Sequence, residues 1–295
     1  MESVRKTVRQ RIRVQSPISR ELLAEGFGTC LVVTIGCASI AQFVIGNGER
    51  NAWIGLSLAW GFAVAFGIYV SWNITGGHVN PAISIMMYVL GNLTLVRALL
   101  YSLAQTIGAF FGAGIVYYTY YDAISKFDHG TRAVRGVGAT AGIFASYPDA
   151  YVSVFGGLLD QIVGTAILGL IICMVTDRRN HIPGHLGPLL IGLGVAAIAM
   201  SFGMNCGAPL NPARDLGPRL FTLIAGYGWE VFSYNDYTWF WVPILGPIIG
   251  ALIGAWVYKL FIGLHWPHEE VDIELAALKN NRRQVAEDVV LIKST

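Results

Sequence analysis

Six long stretches of the chain lack the alternation of apolar and polar positions that marks a surface helix or a half-buried strand. They run over Leu22–Gly46, Ala52–Trp72, Ala98–Tyr121, Gly156–Thr176, Leu186–Asn205 and Trp239–Leu264. Each reaches the ~20 apolar residues that a helix needs to cross the hydrocarbon core. Charge inside them is scarce: Glu25 in the first, Asp160 in the fourth and Lys259 near the end of the sixth. The first run is too long for the core of a signal peptide and has no clear cleavage site, so it is read as a span. The pattern predicts an all-α membrane protein with six transmembrane helices.

Two further apolar segments, Pro81–Leu90 and Pro212–Thr222, are too short to cross. Each opens on the same triplet, Asn80-Pro81-Ala82 and Asn211-Pro212-Ala213. Proline at the first helical position behind an asparagine cap is a helix-start signal, so each triplet predicts a re-entrant half-helix. The halves of the chain also repeat. Gly28-Thr29 in the first run answers Gly164-Thr165 in the fourth. Gly108 and Gly112 in the third answer Gly250 and Gly254 in the sixth. Three spans per half is odd, so the second half inserts inverted, and interrupted segments at matching positions point to a path at the membrane midplane. Small residues four apart let spans pack closely, and their matched places predict a contact between the two repeats.

Composition agrees: 54% of residues are hydrophobic and 13% charged, against ~25% charged in soluble domains. Arg5, Lys6, Arg9, Arg11, Arg13 and Arg20 precede or open the first run. Arg178 and Arg179 follow the fourth, and Lys279, Arg282, Arg283 and Lys293 lie in the tail. With an even number of spans these fall on one side, cytoplasmic by the positive-inside rule. The basic N-terminus suits anionic lipid better than nucleic acid. The expected organisation is a cytoplasmic segment 1–19, a channel region 20–264 with repeats over about 20–121 and 156–264, and a cytoplasmic tail 265–295. The segment Asp122–Phe155 is expected to be a long external loop over the outer mouth. Cys30, Cys37, Cys173 and Cys206 all lie in apolar segments, which argues against a structural disulfide, and their spacing fits no metal site. No nucleophile–base pairing suggests an enzyme, and no cofactor is implied.

Two Asn-Pro-Ala triplets in inverted halves resemble the major intrinsic protein (aquaporin) superfamily, and the likeness spans about Glu21–Leu264. The stretch Asn211-Pro-Ala-Arg-Asp-Leu-Gly-Pro-Arg219 is similar to the glycerol-conducting branch. There an Asp follows the Arg, here Asp215, a basic residue stands four further on, here Arg219, and a Pro–aliphatic pair opens the sixth span, here Pro243-Ile244. The resemblance implies the aquaporin fold in a lipid bilayer and a homotetramer. It implies passive passage of water, glycerol and urea-like small neutral solutes, with exclusion of ions and protons.

By the same resemblance Asn80 and Asn211 turn their amides to the pore, where each donates to a passing oxygen while also capping its own helix. The half-helix N-termini, each carrying roughly half an elementary charge, disfavour cations there. Arg214 is expected at the outer constriction, because a lone arginine at membrane depth must face protein or water. A plain ion pair with Asp215 is disfavoured, since adjacent helix residues point different ways; Asp215 is expected to order the surrounding loop. Trp60 forms the aromatic wall of the constriction, and Ala199 and Ala208 complete it. An aromatic residue is usual at the Ala208 position of many glycerol channels, so Ala208 implies a wider filter. Glu25 and Gln161 are expected to accept from backbone amides of the re-entrant loops, a need that a buried acid has anyway. Asp160 is read as reaching water. His78 is placed at the cytoplasmic approach, as a neutral ring that fixes the loop rather than as a pH gate. A water-selective channel and an ion-coupled secondary transporter stay open as alternatives. The transporter would need titratable groups at the midplane, where this chain offers mostly asparagine amides and one arginine.

Overall fold

The computed structural model describes residues 13–266 together with 277 and 278. Arg5, Lys6, Arg9 and Arg11, and almost all of the expected tail, lie outside the described residues. Among these the structure is helical throughout, and six helices are long and apolar enough to cross a membrane. The first four elements are α1 (Pro17–Ile45), α2 (Trp53–Thr75), the short α3 (Pro81–Val89) and α4 (Leu95–Thr119). After them come α5 (Tyr121–Asp128), α6 (Val154–Thr176), α7 (Gly187–Phe202) and the short α8 (Pro212–Thr222). The small α9 (Glu230–Ser233) and α10 (Val242–Phe261) close the order. Two compact units divide the chain, 1–255 and 256–295. In the second, Lys259 Nζ lies 5.1 Å over the Trp256 ring.

Local chemistry starts the helices. Ser16 caps α1, with Pro17 in the first turn. The Thr94 and Ser153 hydroxyls accept from the Arg97 and Gly156 amides at the heads of α4 and α6. Asn80 and Asn211 cap α3 and α8, each ahead of a proline, which satisfies amides that the first turn leaves open. Large apolar side chains such as Leu23, Phe27, Phe66, Ile107, Phe111 and Phe155 stay exposed on the spanning helices. That outward face suits lipid rather than water.

The matched glycines pack in a way the sequence misassigns. A Cβ on Gly108 would meet the Gly26 backbone, and one on Gly112 would come within 2.7 Å of the Cys30 carbonyl. Gly250 and Gly254 stand in the same way against Ile162, Thr165 and Ala166. The close crossings therefore lie within each repeat, α4 on α1 and α10 on α6, and not between the repeats. Small residues on one helix show that a partner comes close, but not which partner.

The segment 122–155 is also more structured than a loop. It continues as α5 and later makes a single turn over Ala141–Ile143. Arg132 is its buried anchor: it donates to Asp128, to the Tyr117 hydroxyl and to Ser125, all within 2.9 Å. Thr140 adds a bond to Asp128. These contacts carry Ile143 and Phe144, both fully buried, into a core with Val33, Cys37 and Phe221.

Candidate functional site

The two half-helices meet head to head through their caps. Asn80 Oδ1 accepts from Ala82 N at 2.9 Å, while its Nδ2 donates to the Leu210 carbonyl at 2.9 Å. Asn211 Oδ1 accepts from Ala213 N and Arg214 N, while its Nδ2 donates to the Val79 carbonyl at 2.8 Å. A carboxamide has two N–H donors. One on each asparagine is thus spent on the opposite loop, and the other remains for the cavity that both residues line. Pro81, Pro212, Ala82 and Ala213 are buried as well.

The backbone before each asparagine is strained. Val79 has φ 43° and Leu210 φ 50°, left-handed values that are unusual for residues with a Cβ and most of all for valine. Such strain persists only where neighbours hold it. Glu25, fully buried on α1, accepts from Val79 N at 2.7 Å and His78 N at 3.0 Å, and also from Thr75 and Gln105. Gln161 accepts from Leu210 N at 3.2 Å. Glu25 and Gln161 thus take up the amides that turn the Val79 and Leu210 carbonyls toward the asparagines.

Asp160 is placed differently from the sequence expectation. It is buried, and protein groups meet its carboxylate: it accepts from Asn205 Nδ2 at 2.8 Å, the Cys206 thiol at 3.1 Å and Gln161 Nε2 at 3.1 Å. An acid near a helix end reads as exposed until the loop that covers it is known. Burial, followed by the charge of Asp160, pushes the Cys206 thiol far above its ordinary value.

A cavity of about 190 Å³ runs past His78, Asn80, Asn211 and Ala199 to Arg214. A wider vestibule of about 540 Å³ opens beyond it, lined by Gly142, Tyr147, Asp149, Met200, Met204 and Asn205 among others. The two share Trp60, Gly207 and Arg214, so the neck of the path lies there. Val32, Ile68, Ile83, Leu168, Ile172, Ile191 and Val195 give the inner cavity an apolar wall. The polar groups lie on the asparagine and arginine side.

At the neck the Arg214 guanidinium lies 4.5 Å from the centre of the Trp60 ring, and its Nη1 donates to the Phe144 carbonyl at 2.9 Å. Ala199 and Ala208 line the same cavity with small side chains. Asp215 leaves Arg214 alone. It pairs with Arg219 at 2.8 Å and accepts from the Ser146 amide at 2.7 Å and the Ser146 hydroxyl. Arg219, equally buried, donates to the Ser146 and Val231 carbonyls, and Trp239 Nε1 adds a bond to Ser146 at 2.9 Å. The Asp215–Arg219 pair therefore clamps the 141–146 stretch, and that stretch delivers the Phe144 carbonyl to Arg214. Phe144 is missed in the sequence because it acts through its carbonyl, and Ser146 because most of its contacts run through backbone atoms, which leave no signal in residue type.

His78 edges the other end of the cavity, half-buried, outside the six spanning helices. Its Nδ1 is 3.1 Å from the Ser84 hydroxyl, and its ring stands edge-on to Tyr101. Burial lowers its pKa from the ordinary value, with the Glu25 carboxylate pulling the other way.

Comparison with known proteins agrees with this geometry. Residues 13–258 match the family model described as "Major intrinsic protein". An aquaporin-10 of Milnesium tardigradum is 41% identical, covering 96% of this chain and 76% of the relative. An aquaporin-9 of Mus musculus is 39% identical over 95% of each chain. A human aquaporin-10 is 41% identical over 87% of this chain and 85% of its own. Among solved structures, the aquaglyceroporin from Plasmodium falciparum superposes with a TM-score of 0.75 at 32% identity. It covers 83% of this chain and 97% of that one.

Proposed function

The chain belongs to the major intrinsic protein family and is a passive membrane channel for water, glycerol and other small solutes, not an enzyme; we propose that Trp60, Ala199, Ala208 and Arg214 decide which solutes pass. The observation that carries this reading is the neck itself. A fixed guanidinium and a tryptophan ring bound it, and Ala199 and Ala208 line the cavity on its inner side with small side chains, a composition that leaves room for a three-carbon chain. Trp60 gives that chain an apolar wall, and Arg214 replaces part of the water that the hydroxyls shed. Stripping a polar group without such a partner costs roughly 2–7 kcal/mol, so this replacement sets the rate for a polyol.

Asn80 and Asn211 then take over with one free N–H each. The positive ends of α3 and α8 meet at the same point, and with Arg214 they turn away cations and protons. Glu25, Gln161 and Asp215 act at one remove, by holding the loops that carry these donors. His78 lines the far approach. The vestibule faces the outside, both termini lie in the cytoplasm, and the cell membrane is the site of action. The basic residues flanking the spans support that orientation. A homotetramer with one pore per subunit fits the habit of the family.

The test is a solute panel on purified protein in proteoliposomes, followed by light scattering. Water, glycerol and urea should cross without saturation, and sodium chloride should not. Water flux without glycerol flux would make the channel water-selective. Saturable, ion-coupled uptake would make it a transporter.

A further inference from the structure

Behind His78 lies a closed run of buried polar side chains that the channel reading does not use. Gln105 is fully buried on α4. Its Nε2 donates to Glu25 Oε2 at 2.8 Å and to Ser84 Oγ at 3.1 Å, while its Oε1 has no partner. The amide cannot turn over, because Oε1 would then face the Glu25 carboxylate, which already accepts from His78 N, Val79 N and Thr75. Gln105 is therefore a fixed donor to Ser84.

Ser84 Oγ has one proton and two lone pairs. Three partners surround it. Gln105 can only donate, the Asn80 carbonyl at 3.3 Å can only accept, and His78 Nδ1 at 3.1 Å can do either. The proton goes to Asn80 and one lone pair to Gln105, so the second lone pair is filled only if His78 carries a hydrogen on Nδ1. The other tautomer makes one hydrogen bond fewer at Ser84, which is fully buried, where an unmade bond is costly. In neutral imidazole one nitrogen holds the proton and the other a lone pair. The lone pair then sits on Nε2, on a ring that edges the cavity.

We propose that Ser84, oriented by Gln105, is a positioning residue that fixes His78 as its Nδ1–H tautomer and so presents an Nε2 acceptor to the passing solute. Arg214, Asn211 and Asn80 offer donors along the path, and the His78 Nε2 lone pair adds a side-chain acceptor at the far approach. The inference rests on the channel reading for its solute, but not for its chemistry.

The test is solid-state nitrogen NMR of the full chain in lipid, labelled at histidine nitrogens, at pH 8. His78→Gln identifies the resonances of His78 by difference. The expected parent spectrum has Nδ1 protonated and Nε2 bare, and added glycerol moves the Nε2 signal toward the hydrogen-bonded range. Ser84→Ala should release the ring to the Nε2–H form or to a mixture. A parent with Nε2 protonated overturns the proposal whether or not the variant folds. A tautomer unchanged in folded Ser84→Ala overturns the role of Ser84, and an Nε2 signal indifferent to glycerol overturns contact with solute. Glycerol swelling of the same vesicles reports the channel activity separately, so the two readings fail independently.

Discussion

Gly36, on α1, supports the neck from behind. A Cβ added there would come within 2.5 Å of Trp60 Cε3 and closer still to Cζ3 and Cη2. Carbon atoms rest ~3.5–4.0 Å apart, so Gly36→Ala demands about 1 Å of movement or more. The helix has little freedom to supply it. A Cβ on Gly28 would already meet the Gly67 carbonyl of α2 at 2.8 Å, and Gly26 and Cys30 are closely approached by Gly108 and Gly112 of α4. The ring yields instead, toward Arg214 and the open neck. Overpacking of this kind costs about 1–3 kcal/mol. If 1.4–2.8 kcal/mol of that falls on the crossing barrier, glycerol flux drops about 10–100-fold. Water, being smaller, loses less. The assay is stopped-flow swelling of proteoliposomes, read as the ratio of glycerol to water permeability. Gly184→Ala is the control, since a Cβ there meets nothing within 4 Å. An unchanged ratio in well-folded Gly36→Ala would refute the placement of Trp60 at the neck.

Three more outcomes follow from the surrounding groups. Glu25→Leu strips an acceptor from the His78 and Val79 amides and from Gln105, at about 1–3 kcal/mol for each buried donor left unmet. Its melting temperature in detergent should fall well below that of the parent, and an unchanged melt contradicts the role of Glu25. Cys206 is 4% exposed, donates its thiol to Asp160 and is held protonated by burial and that charge. Reactivity needs the thiolate, so mercurials should affect glycerol flux in parent and Cys206→Ser to the same extent, and protection by the substitution would show an accessible thiol. Because burial lowers the His78 pKa below its ordinary value of about 6.5, the ring is neutral at pH 7 and charges only as pH falls further. Glycerol flux should be flat from about pH 7 to 8.5. A change in that window that His78→Gln removes would contradict the direction of the shift.

The parts legible in the sequence are those that local physics decides. Span length and the Asn-Pro starts of α3 and α8 need no knowledge of distant contacts, whereas Glu25 and Gln161 are placed by the family resemblance. What the sequence hides is the identity of partners. Gly108 and Gly254 announce a close approach, yet nothing local says that Gly26 and Ala166 receive it. Asp160 at a helix end looks solvated until Asn205 and Cys206 fold back over it. Arg214 is recognisable as a site residue, but the group that aims it, the Phe144 carbonyl, is one that any residue possesses. The left-handed backbone at Val79 is likewise invisible, because no propensity places valine there. The Glu25 carboxylate, 54 residues away in sequence, and the Asn211 amide hold it from either side.

The central claim is that the neck at Trp60, Ala199, Ala208 and Arg214 selects the solute. Changing Ala199 to His and Ala208 to Phe together tests it most directly. Both side chains enter the cavity that Arg214 closes, and a histidine at position 199 also competes for the bonds that the guanidinium offers. Glycerol and water permeabilities of the double variant are to be measured in the same proteoliposomes as the parent, with folding checked by gel filtration. The account predicts that glycerol flux collapses while water flux persists, reduced by the narrower opening. A well-folded double variant that passes glycerol as the parent does would contradict it.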